Sequence, residues 1–131
     1  MITAVHTLIY SDDAPATRAF LKDVLGLPFV SDGEDSADPG AWLIFATGPS
    51  ELGVHPTQGQ HGGETFTAPR HHQVSLLVDD IEATVATIRE RGGTASDPTD
   101  LRFGIGSEVQ VPGADAILVY APRHATAYDR A

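Results

Sequence analysis

Few side chains in this sequence can do chemistry, and their types narrow what that chemistry would be. Cysteine is absent, so there is no thiolate nucleophile, no thiolate metal site and no disulfide framework. No His-Glu-x-x-His helix, no Gly-Lys-Ser/Thr phosphate loop and no Gly-x-Ser-x-Gly elbow occurs. Zincin, nucleotide-hydrolase and α/β-hydrolase chemistry therefore have no support. What remains is a set of imidazole, amide, phenol and carboxylate groups at His6, Tyr10, Glu51, His55, Gln73 and Tyr120, with Trp42 and Phe103 as aromatic surfaces. His6 or His55 could act as the base in metal-free isomerase- or cyclase-like chemistry. Rings with a polar tip equally suit holding and orienting a small molecule. His61, His71, His72 and His124 fall in a loop, a strand entry and the tail, and read as solvated.

An internal repeat positions these groups. His6-Thr7-Leu8-Ile9-Tyr10-Ser11-Asp12-Asp13 lies over Gln73-Val74-Ser75-Leu76-Leu77-Val78-Asp79-Asp80, each pair 67 residues apart. The same offset carries Ala16-Thr17 onto Ala83-Thr84, Leu21 onto Ile88 and Gly26 onto Gly93. With two residues fewer between the copies, Glu51-Leu52-Gly53-Val54-His55 then falls on Ala116-Ile117-Leu118-Val119-Tyr120. His6 and Gln73 are thus equivalent, and so are His55 and Tyr120.

Ala4 to Tyr10 and Gln73 to Val78 are short β-branched-rich runs that predict strands. The aspartate pairs after them are N-cap signals, Pro15 fits a helix start, and Gly26 and Gly92-Gly93 mark helix ends. Trp42 to Ala46 with Glu51 to His55, and Ser107 to Val111 with Ala116 to Tyr120, predict two hairpins. Alternation places Val74, Leu76 and Val78 against the helices, and Gln73, Ser75 and Leu77 on the opposite, cleft face. Trp42 is either a stacking wall or core. Phe103, between Arg102 and Gly104-Ile105-Gly106, is either a lid over the cleft or a loop anchor. Ser31 to Gly40 predicts an acidic loop.

The chain has 131 residues, 41% hydrophobic and 20% charged, which suits one globular domain. Eight Lys and Arg against eighteen Asp and Glu leave a net charge of −10, unfavourable for nucleic acid or an anionic membrane surface. No run approaches the ~18 to 20 apolar residues of a membrane span, and no secretory leader is evident. The cytoplasm is the default compartment.

Taken in order, the His6…Ser11-Asp12-Asp13 opening, Phe20-Leu21-Lys22-Asp23-Val24-Leu25-Gly26-Leu27, Val78-Asp79-Asp80-Ile81 and Phe103-Gly104…Val111-Pro112-Gly113 resemble the vicinal oxygen chelate superfamily. That superfamily covers glyoxalase I, bleomycin-resistance proteins, extradiol dioxygenases and fosfomycin-resistance enzymes. The resemblance runs from about Ile2 to Pro122 and implies an α+β fold. In it, two tandem βαβββ modules form a curved mixed sheet around a cleft, often with exchange between subunits of a homodimer. The expected layout is a single domain over residues 1–131: module 1 to about 56, a linker over about 57–70, module 2 over about 71–122, and a tail from 123 to 131.

Members of the superfamily commonly hold a divalent metal with one residue from each of four strands. The resemblance carries those positions onto His6, Gly53, Gln73 and Leu118, two of which have no donor side chain. A set shifted by two residues, His6 and Gln73 with Glu51 or His55, would suit Fe, Mn, Ni or Zn, and on the last strand Tyr120 alone could join it. The expectation is a metal-free protein that sequesters or carries an aromatic or polycyclic small molecule, as bleomycin-resistance proteins do. Its expected ligand contacts are His6, Tyr10, Trp42, Glu51, His55, Gln73, Phe103 and Tyr120. The alternatives are a metal-dependent glyoxalase- or dioxygenase-type lyase or oxidoreductase, and the His-base enzyme above.

Overall fold

A computed structural model of the chain describes residues 4, 6–31 and 37–127. The centre of the expected acidic loop and the last four residues of the expected tail lie outside the described residues.

Both helices start as the sequence dictates, and the repeat is visible in their hydrogen bonds. Asp13 caps α1 (Ala14–Ala19) by accepting from the Ala16 N–H at 3.2 Å, and Asp80 caps α2 (Ile81–Glu90) from the Ala83 N–H at 3.0 Å. Each cap satisfies a backbone donor that the first helical turn leaves free. The Thr17 and Thr84 hydroxyls reach back to the Asp13 and Asp80 carbonyls. α1 runs into a wider π-helical turn (Phe20–Val24) and ends at Gly26, with φ +66°; α2 ends at Gly92, with φ +87°.

The second half forms a four-stranded sheet. Its strands are β5 (Ser75–Leu77), β6 (Thr99–Asp100), β7 (Gly104–Val109) and β8 (Ile117–Pro122), in the spatial order β5-β8-β7-β6. β5 and β8 are parallel, with α2, β6 and β7 between them along the chain, and the other pairs are antiparallel. Ile81, Val85 and Ile88 of α2 are buried against Val109, Ile117 and Val119, with Phe20 closing the same core. Val74, Leu76 and Val78 pack on that core, the face the alternation assigns to them.

The first half departs from expectation in its pairing. β2 (Leu43–Phe45) pairs backward with β1 (Phe29–Ser31), antiparallel with Phe29 opposite Phe45. It does not pair forward with Glu51 to His55, which takes no strand. Leu52 is 86% and Val54 98% exposed, so the apolar face of that segment has nothing to pack on, and Pro49, Gly53 and Pro56 weaken it further. Residues 6–10 likewise carry no strand pairing, with Leu8 51% and Tyr10 87% exposed. A β-branched run becomes a strand only where an edge meets it.

Within the stretch read as a linker, β3 (Gln58–His61) and β4 (Glu64–Thr67) form a hairpin. Its turn is Gly62-Gly63, both at positive φ, the two-residue geometry that matches strand twist. Besides the Phe20 packing, three hydrogen bonds among the described residues tie the first helix to the second half. The Asp12 N–H donates to the Gly113 carbonyl at 2.7 Å, the Thr17 hydroxyl to the Pro112 carbonyl, and Arg91 Nη1 to the Val24 carbonyl at 2.9 Å. That last bond satisfies a carbonyl at the end of the first helical segment. Among the described residues, no helix is long and apolar enough to cross a membrane.

Candidate functional site

Alternation along β8 sends Ile117 and Val119 into the core and leaves Leu118 and Tyr120 on the concave face. Across the strands, Ser75 and Glu108 lie beside Leu118, and Leu77 and Gly106 beside Tyr120. A side chain at Gly106 would meet Leu101 Cδ1 at 2.7 Å and Leu118 Cδ1 at 3.0 Å, so glycine makes room for these neighbours. Tyr120 is 8% exposed, and Phe103 stands edge-on to its ring with centroids 5.1 Å apart.

The tail then folds over this face. The Arg123 N–H donates to the Phe103 carbonyl at 2.7 Å and its guanidinium to Asp100 Oδ1 at 2.7 Å. The bond from Arg123, and after it the Arg102 N–H, hold the Asp100 carboxyl below the usual aspartate range. Tyr120 Oη lies 2.9 Å from His124 Nε2, while His124 Nδ1 lies 2.7 Å from the Ala125 carbonyl oxygen. Glu51 Oε2 accepts from the Ala127 N–H at 2.8 Å, and its Oε1 is 3.8 Å from His124 Nε2. Tyr120, with Phe103 against its ring, and Glu51 therefore both reach a residue, His124, that its position in the tail marks as solvated. No local signal marks it: β8 stays paired through Pro122, and the chain bends at His124 itself.

The other candidates sit elsewhere. His6 and Trp42 line a mostly apolar hollow of about 260 Å³ with Leu21 and Leu27 below and Leu43 and Phe45 beside them. The Arg18 guanidinium lies 5.5 Å from the Trp42 ring centroid and also donates to the Pro39 carbonyl at 3.1 Å. Sequence reasoning misses Arg18, because nothing local pairs position 18 with 42. Tyr10 and Gln73 line a wider, more open hollow of about 850 Å³, together with His72. His55 packs on Phe66 of the β3–β4 hairpin, centroids 5.2 Å apart, and its Nδ1 lies 2.8 Å from the Pro56 carbonyl oxygen.

These residues do not fit a divalent metal held in the four-strand manner. Leu118 offers only a hydrocarbon to the concave face, and Gly53 stands in open space, with no atom within 4 Å of where a methyl group on it would sit. His6 and Gln73 line different hollows, Glu51 turns to the tail and His55 to a hairpin. Among the described residues, no three His, Cys, Asp or Glu side chains cluster closely enough to share an ion.

The family model for the Glyoxalase/Bleomycin resistance protein/Dioxygenase superfamily matches residues 3–108. The chain belongs to that superfamily. Solved members and neighbours share its fold at low identity. TnmS3, an antibiotic binding protein from Streptomyces sp. CB03234, is 17% identical with a TM-score of 0.60, over 92% of this chain and 97% of that one. A superfamily member from Sphaerobacter thermophilus is 19% identical with a TM-score of 0.57, over 92% and 98%. A lactoylglutathione lyase from Agrobacterium tumefaciens is 16% identical with a TM-score of 0.53, over 92% and 94%. No curated protein matches the chain in sequence. The superfamily's two-unit α+β architecture accounts for the repeat, and its known capacity for metals makes the donor set of this chain a point of difference.

Proposed function

We propose that this superfamily member binds an aromatic or polycyclic small molecule, sequestering or carrying it without a metal. The observation that carries this reading is the apolar hollow beside Trp42. An indole wall and the Phe45 ring give it aromatic surface, and His6 and Arg18 supply the few polar groups that orient a ligand. The absence of side-chain donors at Gly53 and Leu118 supports a metal-free protein, and the antibiotic-binding neighbour supports the class of function through the shared fold alone. Trp42 is 50% exposed, so an aromatic ligand can stack on it and alter its fluorescence.

The test is a titration of Trp42 emission with 9-aminoacridine, a planar tricyclic cation suited to an acidic protein. Saturable quenching that weakens in His6→Ala is expected. Linear, non-saturating quenching in both proteins overturns the reading.

The functional unit in this reading is a homodimer acting in the cytoplasm. Leu8, Tyr10, Leu52 and Val54 expose apolar surface that a second copy would cover, and β5 has no strand on its outer edge among the described residues. Light scattering should give twice the chain mass; a monomer at micromolar concentration contradicts this part of the proposal.

A further inference from the structure

The hollow beside Trp42 carries a charge opposite to that of the chain. The sequence as a whole stands at −10. Of the described residues that line the hollow, Arg18 alone carries a fixed charge, His6 alone titrates near neutrality, and none is a carboxylate.

The surroundings of Arg18 leave its charge uncompensated. Its guanidinium lies 5.5 Å from the Trp42 ring centroid, and Nη1 donates to the Pro39 carbonyl at 3.1 Å. A carbonyl and an indole face hold a cation in place without neutralising it. Among the described residues no carboxylate pairs with Arg18, whereas the nearby Lys22 is paired with Asp23 at 2.7 Å. Arg18 is half-buried beside apolar side chains, where an ion pair is screened less than in open water. Pro39 takes one of its five N–H donors, and the guanidinium fork matches the paired oxygens of a carboxylate.

We propose that the Trp42 hollow selects planar aromatic anions, such as aromatic carboxylates, with Arg18 as the residue that sets this specificity. The ring of the ligand packs against Trp42 and Phe45, and its acid group accepts from the Arg18 guanidinium. The inference rests on the binding of aromatic molecules in this hollow and adds the charge they carry. The field of a chain at −10 disfavours an anion at long range, so a preference for the anion reports a group inside the hollow.

The test compares 2-naphthoate, 2-naphthylmethanol and 2-naphthylmethylammonium, which share a ring system and differ in charge. Binding is measured by calorimetry at about 0.15 M salt, where fields beyond about 8 Å are screened. Wild type should bind the naphthoate about tenfold more tightly than the alcohol, the effect of one charge-assisted hydrogen bond, and the ammonium most weakly. Arg18→Gln should erase the preference for the anion while leaving the affinity for the alcohol within about twofold. Equal binding of the three probes by wild type, or a preference that survives Arg18→Gln, overturns the proposal. If Arg18→Gln does not fold, the order of the three probes on wild type decides, and any order without the naphthoate first overturns it. 9-Aminoacridine reports stacking in the hollow whatever the charge preference. Its saturable quenching of Trp42 alongside equal binding of the three naphthalenes ends this inference and leaves the proposed function standing; no saturable binding of any aromatic probe ends both.

Discussion

Replacing Thr17 by valine isolates one of the contacts that join the two halves of the chain. Thr17 is 5% exposed, and its hydroxyl lies 2.7 Å from Ser11 Oγ and within bonding distance of the Pro112 carbonyl in the β7–β8 turn. Valine keeps the shape and the β-branching but exchanges the hydroxyl for a methyl. The Pro112 carbonyl and the Ser11 hydroxyl then lose a partner in a partly buried place, which costs about 1–3 kcal/mol. The internal repeat supplies the control. Thr84 is the equivalent residue of α2, and its hydroxyl donates to the Asp80 carbonyl of its own helix at 2.7 Å, where solvent can replace it. Thr and Val have similar helix propensity, so Thr84→Val should stay within about 0.5 kcal/mol of wild type. Urea unfolding measures both, as a shift of midpoint at unchanged slope. If Thr17→Val costs no more than Thr84→Val, the turn does not hold the helix, and the account of how the halves are joined is wrong.

Three further outcomes are expected. Ile88 is 2% exposed and central to the core, so Ile88→Ala should lose about 2–5 kcal/mol by urea unfolding; a loss under about 1 kcal/mol would mean that α2 is not packed as described. Asp100 is held below its ordinary range by Arg123, so the folded chain binds fewer protons there than the unfolded one. Its contribution is complete above about pH 4 and fades as the pH falls through the folded value. Wild type should therefore exceed Asp100→Asn in stability near neutrality, with the gap closing in acid; a gap that widens in acid has the wrong sign. A side chain at Gly104 would collide with the backbone carbonyl of Ala121, whereas one at Gly106 meets mainly the ends of leucine side chains. Gly104→Ala should accordingly unfold at lower urea than Gly106→Ala, and the reverse order would refute the register of β7 on β8.

How much of this is legible in the sequence differs between the halves. The caps at Asp13 and Asp80, the helix ends at Gly26 and Gly92, and the β7–β8 hairpin follow from local signals that work within a few residues. The inward face of Val74, Leu76 and Val78 follows from strict alternation. The β3–β4 hairpin escapes because its flanks, Gln58 to His61 and Glu64 to Thr67, are polar, although Gly62-Gly63 is a strong turn signal. The pairing of β2 with β1 escapes for another reason: strand partners depend on which edges are free, and Phe29 to Ser31 has no periodic mark of its own. The candidate residues follow from repeat equivalence, and the structure distributes them. Tyr120, with Phe103 against its ring, and Glu51 meet at His124, His6 and Trp42 share a hollow, Tyr10 and Gln73 line another, and His55 joins a hairpin. Equivalence in sequence fixes the face of a strand, and the pairing of that strand decides where the face looks. His124 is hidden because its contacts depend on how the chain bends after β8 ends at Pro122.

The central claim is that ligand binding here needs no metal. Calorimetric titration with 9-aminoacridine, before and after exhaustive chelation with metal content measured in the same sample, tests it most directly. The account requires one saturable site per chain, the same affinity in both samples, and metal far below one ion per chain. Binding that disappears on chelation and returns with Fe, Mn, Ni or Zn would contradict it.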